Sequence, residues 1–176
     1  LWSSAFQDPV AKYKEAAQEL RSEWESELKA RGVEKPKTLF LYAGRWSSEK
    51  RIRLLFPAIP ADCALVVVGD GSSDYCSDLV RDKTVPSNVL LRRKMLNAVD
   101  LRTAYAAADV FVSASNFETL GNTVIEAWCS GTAPAIQNEQ GHLEYCKDGQ
   151  NGFLLSYDDA DAARRRLQEI SDGGLW

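Results

Sequence analysis

An α/β domain, with a Rossmann-like, doubly wound parallel sheet of about six strands, is the fold this sequence predicts. Three observations carry the expectation. From Lys37 onward, short apolar runs alternate with helical patterns. The runs are almost continuously apolar, which suits strands buried on both faces of a parallel sheet. At Val110 to Ala127 a strand, a glycine-containing turn and a helix follow one another directly.

The elements follow in order. Residues 9–31 read as a helix: Pro9 suits a first helical position after Asp8, and Gly32 closes it. Val10, Tyr13, Ala17, Leu20, Trp24 and Leu28 recur at three- and four-residue steps. That stripe reads most plainly as core packing, with a partner-binding helix as the alternative. Strands are expected at Thr38–Ala43, Ala64–Val68, Val89–Leu91, Val110–Ser113, Ala133–Ile136 and Gly152–Leu155. Helical patterns lie between and after them, near 49–56, 74–82, 99–107, 122–130, 140–147 and 158–170. Pro57 and Pro60 limit the first of these, and Gly131 stops the helix at 122–130. The chain divides into a helical segment, 1–36, a Rossmann-like domain, 37–171, and a fraying tail, 172–176.

At 176 residues, 45% apolar and 10% aromatic, the chain has the makings of one full core and not of a disordered segment. Its net charge is −4, and its one basic cluster, Arg92-Arg93-Lys94, reads as a solvated loop, so nucleic acid is not an expected partner. The four cysteines form no CxxC pair; Cys63, Cys129 and Cys146 fall in or beside apolar segments, where a free thiol behaves as a small buried hydrophobe. That favours a reduced, intracellular setting, in the cytoplasm or at the cytoplasmic face of a membrane, with a disulfide and an organelle left open. His142 is the only histidine, which argues against a histidine metal site and a Ser-His triad. No apolar run approaches the roughly 18 residues of a membrane span, and no signal-peptide pattern opens the chain. It starts at Leu1 and its only methionine is Met95, so a processed product or a piece of a longer protein is expected.

In such sheets ligands bind at the carboxyl ends of the strands, near the switch in strand order. The first strand-end loop is Gly44-Arg45-Trp46-Ser47-Ser48-Glu49-Lys50. Gly44 permits a sharp turn, and Arg45 and Lys50 supply two cations for phosphate oxygens; a surface loop with a Glu49 ion pair is the competing reading. Gly69-Asp70-Gly71-Ser72-Ser73-Asp74 imitates the start of a dinucleotide fingerprint, but Asp74 stands at the last glycine position. A tight strand-to-helix turn accounts for it. The third loop holds two carboxylates, Glu118 and Glu126, eight positions apart. Glu126 lies among Val124, Ile125, Ala127, Trp128 and Cys129, where a carboxylate needs a partner, and two ribose hydroxyls are suitable donors. The N–H groups near Thr119, Leu120, Gly121 and Asn122 open a helix and suit a phosphate oxygen.

These residues resemble the C-terminal, donor-binding half of the GT-B glycosyltransferases, specifically the retaining glycosyltransferase family 4 (glycosyl transferases group 1). The pattern G-R-x-x-x-E-K is matched by Gly44-Arg45 through Glu49-Lys50, and A-A-A-D-V-F-V-x-x-S by Ala106 to Ser115. The E-x7-E signature is matched by Glu118 and Glu126, E-A-x-x-x-G by Glu126-Ala127 to Gly131, and D-G-x-x-G-F-L by Asp148 to Leu154. The resemblance covers about residues 38–170, with the motifs in family order.

It implies one half of a GT-B fold acting on a UDP-, GDP- or ADP-sugar, with no metal and no other cofactor. Arg45 and Lys50 are implied to hold the diphosphate and stabilise the leaving nucleotide, and Glu126 to bind the ribose. Glu118 is implied to contact the transferred sugar, with the backbone of Thr119, Leu120 and Gly121 gripping sugar and phosphate. The base is implied near Lys94 and Met95. An N-terminal Rossmann domain, absent from these residues, is implied to bind a lipid or glycan acceptor, with the 9–31 helix in the interdomain connection. The fragment alone is then expected to be inactive. Ala133 stands where many relatives have proline, and Gln140-Gly141 where many have Gly-Gly, which bears on local loop shape. Half of a GT-B-fold epimerase or phosphorylase, and a degenerate, non-catalytic module, are the competing functions.

Overall fold

The computed structural model describes residues 9–116 and 121–174. Six strands form one parallel sheet: β1 (Leu39–Ala43), β2 (Ala64–Gly69), β3 (Val89–Arg93), β4 (Val110–Ser113), β5 (Ala133–Gln137) and β6 (Phe153–Leu155). Their order is β3-β2-β1-β4-β5-β6, the doubly wound arrangement, with the switch between β1 and β4. Leu39 pairs with Ala64 and Phe40 with Val110, so β1 is hydrogen-bonded on both sides.

Every residue of β1 and β2 is buried, and alternate side chains go to opposite faces. Phe40, Tyr42, Leu65 and Val67 pack on one face with α2 (Ser73–Arg81) and α6 (Ala160–Gly173). Leu39, Leu41, Val66 and Val68 pack on the other with α1 (Pro9–Ala30), α3 (Ala98–Ala107) and α4 (Asn122–Cys129). Each large apolar side chain so buried contributes about 1.5–3 kcal/mol. The continuous apolar runs are therefore the two-sided strands they were read to be.

The stripe on α1 packs inward through Ala17, Trp24 and Leu28, all buried; the side chain of Val10 lies outside the described ones. Arg21 grips both carboxylate oxygens of Asp109 at 2.9 Å, and Asp109 also accepts from the Leu39 N–H at 2.7 Å. Thus the aspartate of the A-A-A-D-V motif pins α1 to the starts of β1 and β4. At the other terminus α6 runs through Gly173, into the segment read as a tail, and Asp172 pairs with Lys37.

Three expectations are corrected. The helix near 49–56 is instead three single 3-10 turns, Ser48–Lys50, Ile52–Leu54 and Phe56–Ala58, because Arg51 takes a left-handed conformation (φ 48°) between the first two. The helix at 140–147 is one turn, α5 (Gln140–Leu143). Asn151 causes the early stop: its side chain donates to the Tyr145 carbonyl at 2.9 Å and accepts from the Lys147 N–H at 2.6 Å, taking backbone groups that would extend the helix. Cys129 is exposed, since α4 turns Val124 and Ala127 inward and Ile125, Glu126 and Cys129 out. Cys63, Cys76 and Cys146 are buried, and all four thiols are free. Among the described residues no helix is long and apolar enough to cross a membrane.

Candidate nucleotide-sugar site

The carboxyl ends of β1, β2 and β3 are laced together through backbone. Gly44 N–H donates to the Val68 carbonyl at 3.1 Å, Trp46 N–H to Asp70 at 2.8 Å, and Lys94 N–H to Gly69 at 2.9 Å. A methyl group at Gly69 would collide with the Gly44 carbonyl oxygen, and one at Gly71 with that of Trp46. The two glycines are therefore more than a strand-to-helix turn: they let the 69–71 loop lie against the 44–46 loop, over the buried indole of Trp46. Asp70 completes the turn, accepting from its neighbour Gly71 N–H at 2.8 Å and from Arg93 at 2.9 Å. The Arg93 guanidinium, then that N–H, holds the Asp70 carboxyl below the ordinary range.

This lacing presents Arg45 to solvent, its side chain 67% exposed and paired with Glu49 at 3.0 Å. Glu49's own backbone N–H and the Ser47 hydroxyl, helped by Arg45 and Lys50, hold its carboxyl below the ordinary range. The ion pair expected of a plain surface loop is present. Lys50 takes a different course: its Nζ lies 3.5 Å from Ser115 Oγ, beyond the end of β4. The two cations thus stand at opposite ends of the loop, Arg45 just after β1 and Lys50 beside the end of β4.

A shallow pocket of about 100 Å³ gathers Gly44, Arg45, Lys94, Met95 and Thr123 against Val68, Gly69 and Leu101. It brings the loop after β1, Lys94 and Met95 after β3, and the start of α4 to one place. Thr123 was not singled out from sequence; its position inside the first turn of α4 was the available signal. A second cavity, about 280 Å³, lies beyond it between α1 and α3 and shares Val68, Lys94 and Leu96.

Gly121 caps α4 with φ 57°, the left-handed region that glycine enters without strain, and a side chain there would strike the Tyr145 hydroxyl. The Val124 N–H returns to the Gly121 carbonyl at 2.8 Å, while the first N–H groups of α4 have no intrahelical acceptor. The positive end of the helix dipole is thus at the carboxyl edge of the sheet. Glu118, Thr119 and Leu120 lie outside the described residues.

Glu126, expected among apolar neighbours and so to need a partner, is instead exposed, because α4 turns it away from the core; it still accepts one hydrogen bond. The Tyr105 hydroxyl donates to its Oε2 at 3.2 Å. Burial, and then the Glu126 carboxylate, push the Tyr105 hydroxyl well above its ordinary pKa, so it remains a donor. No sequence signal marked Tyr105, which is buried in α3. Among the described residues no three His, Cys, Asp or Glu side chains gather as a metal site.

Comparison with known proteins gives this edge a context. The sequence profile of the family described as "Glycosyl transferases group 1" matches residues 25–174. The chain is 37% identical over 130 residues to the lipopolysaccharide core biosynthesis glycosyltransferase LpsE of Rhizobium meliloti, covering 72% of this chain and 37% of LpsE. It is 31% identical over 116 residues to a GDP-mannose-dependent alpha-mannosyltransferase of Corynebacterium glutamicum, covering 65% of this chain and 26% of that relative. Anabaena Alr3699/HepE, solved in complex with UDP-glucose, matches with a TM-score of 0.66 at 22% identity, over 88% of this chain and 45% of its own. The chain thus spans less than half the length of these relatives. The structural likeness bears on the fold, and the fold is the expected half of a GT-B glycosyltransferase. Matched over nearly its whole length, the chain belongs to the glycosyl transferases group 1 family.

Proposed function

We propose that this chain is the donor-binding half of a retaining, metal-independent glycosyltransferase of the family-4 type, which takes its sugar from a nucleotide sugar. The observation that carries the reading is the convergence of Gly44, Arg45, Lys94, Met95 and Thr123 on one pocket beside the α4 N-terminus. A diphosphate over Gly44 and the first turn of α4 meets backbone N–H groups, a helix dipole and the Arg45 guanidinium. Ribose hydroxyls then fall to Glu126, whose Oε2 already accepts one hydroxyl from Tyr105. Lys50, over β4, neutralises charge that builds on the leaving diphosphate, which is what cations contribute when no metal does so. Glu118 takes hydroxyls of the transferred sugar.

Arg45 reaches the diphosphate by exchanging Glu49 for phosphate oxygens. A carboxylate and a phosphate compete for the same guanidinium fork, so the Glu49 pair holds the side chain ready without committing it. The co-substrate is a UDP-, GDP- or ADP-sugar and no further cofactor takes part. A second Rossmann domain in the whole protein binds the lipid or glycan acceptor, and this half alone binds donor without transferring it.

Calorimetry with UDP, GDP and ADP tests the site. At least one nucleotide should bind wild type, with Lys50→Ala and Glu126→Ala each at least about tenfold weaker, or about 1.4 kcal/mol. Absence of binding by all three nucleotides, or mutants that bind like wild type, would overturn the assignment.

A further inference from the structure

Arg51 is the only non-glycine with positive φ among the described residues, at φ 48° and ψ 37°. Side chains other than glycine avoid this region, and they persist there only where the surroundings over-determine the backbone. Glycine would adopt the turn freely, so the Arg51 side chain, not the turn alone, is what the position serves.

That side chain is tied at two points. Its Nε donates to the Ala114 carbonyl at 2.7 Å, and its Nη1 to Asp158 Oδ1 at 2.7 Å. Asp158 Oδ2 in turn accepts from Gln137 Nε2 at 3.1 Å. Gln137 is buried; its Oε1 accepts from the Tyr157 N–H at 2.9 Å, and its carbonyl lies 2.7 Å from His142 Nδ1. The network therefore spans the loop after β1, the ends of β4 and β5, and the approach to α6. Apart from Ala114, its members belong to no motif read from the sequence.

Lys50 closes the 3-10 turn that Arg51 ends. Its Nζ lies 3.5 Å from Ser115 Oγ, one residue beyond the Ala114 carbonyl that Arg51 holds. Two successive side chains thus reach two successive residues past β4. Asp158 balances the Arg51 charge on the far side, so the guanidinium can sit beside Lys50 without opposing it.

We infer that Arg51 is a positioning residue for Lys50: with Asp158 and Gln137 it forms a clamp that fixes the turn and sets the ammonium at the end of β4. The inference rests on the proposed donor site for its consequence, and on the clamp geometry for its substance.

The test uses the full chain with Arg51→Gly, which removes the clamp while suiting the backbone, and Asp158→Asn, which weakens its far end away from the proposed ligand. The first readout needs no nucleotide: the rate at which acetic anhydride acetylates Lys50, followed by peptide mass. Both variants should change it at least about threefold, and an unchanged rate in both would overturn the clamp. The second readout is calorimetry with UDP, GDP and ADP. Arg51→Gly should weaken binding about tenfold, equivalent to 1.4 kcal/mol, and should add nothing in a Lys50→Ala background. An effect that adds in full to Lys50→Ala would overturn positioning, since Arg51 would then act independently. Wild type that binds no nucleotide overturns the donor site, and acetylation alone then decides the clamp. Should Arg51→Gly not fold, Asp158→Asn carries both readouts.

Discussion

The two halves of the sheet's carboxyl edge are built by different means. Over β1 and β2 the loops at 44–46 and 69–71 are joined backbone to backbone, with glycines where the two chains meet. Over β4 and β5 the joining is done by side chains: Arg51, Asp158, Gln137 and His142. A backbone join tolerates changes of polar side chain and fails when a Cβ is added. A side-chain join does the reverse. Arg45 stands over the first half and Lys50 reaches the second, so the proposed diphosphate would span both kinds of construction.

The backbone join is most vulnerable at Gly69. Gly69→Ala places a methyl group in collision with the Gly44 carbonyl oxygen and also strains the backbone, at φ 151°. A loss of at least about 3 kcal/mol is expected, read as a lowered urea midpoint. A mutant as stable as wild type would show that the two loops are not packed as described.

Gln137→Leu is the matching test of the other half. It leaves the buried Tyr157 N–H without its acceptor and Asp158 with one donor fewer, for about 1–3 kcal/mol. Urea unfolding measures this too, and the same change at an exposed glutamine, Gln150→Leu, should cost far less.

Acid separates the halves more gently. The Asp70 carboxyl is held below its ordinary range by Arg93 and the Gly71 N–H. A depressed carboxylate stabilises the fold above its unfolded pKa, about 3.9, and that contribution is lost as pH falls through the folded value. Urea midpoints followed from about pH 5 to about pH 2.5 should therefore fall less steeply in Asp70→Asn than in wild type. Parallel curves would contradict the pairing with Arg93.

Thiol labelling gives the smallest effect and the finest resolution. Exposed Cys129 should react with a disulfide reagent at once, and Cys129→Ser should abolish that phase. Buried Cys76 is hydrogen-bonded to Asp70 in the glycine-laced half, while Cys146 lies beyond α5 with its thiol pushed up to about 11 by burial. If the backbone join is the firmer, Cys146 becomes accessible before Cys76 as urea is raised.

The sequence made the strands legible because burial on both faces writes itself as unbroken apolar runs, as in Leu39–Ala43 and Ala64–Gly69. The loop chemistry was legible only in part. Glycines at 69 and 71 were visible, but that they make room for Gly44 and Trp46 depends on a contact between distant segments. Nothing local marks Arg51 as left-handed, so the helix read near 49–56 missed the interruption. Glu126 was found by spacing; its donor, Tyr105, sits 21 residues away on another helix and carried no signal.

The proposed nucleotide diphosphate lies across the carboxyl edge of the sheet and touches both halves. Amide chemical-shift mapping on nitrogen-15-labelled protein, titrated with UDP, GDP and ADP, tests this most directly. The largest shifts are expected at Gly44, Arg45, Lys94, Gly121, Asn122 and Thr123, with Gly131, Gly149 and Gly152 at the opposite edge undisturbed. Shifts confined to that opposite edge, or to the cavity between α1 and α3, would contradict it.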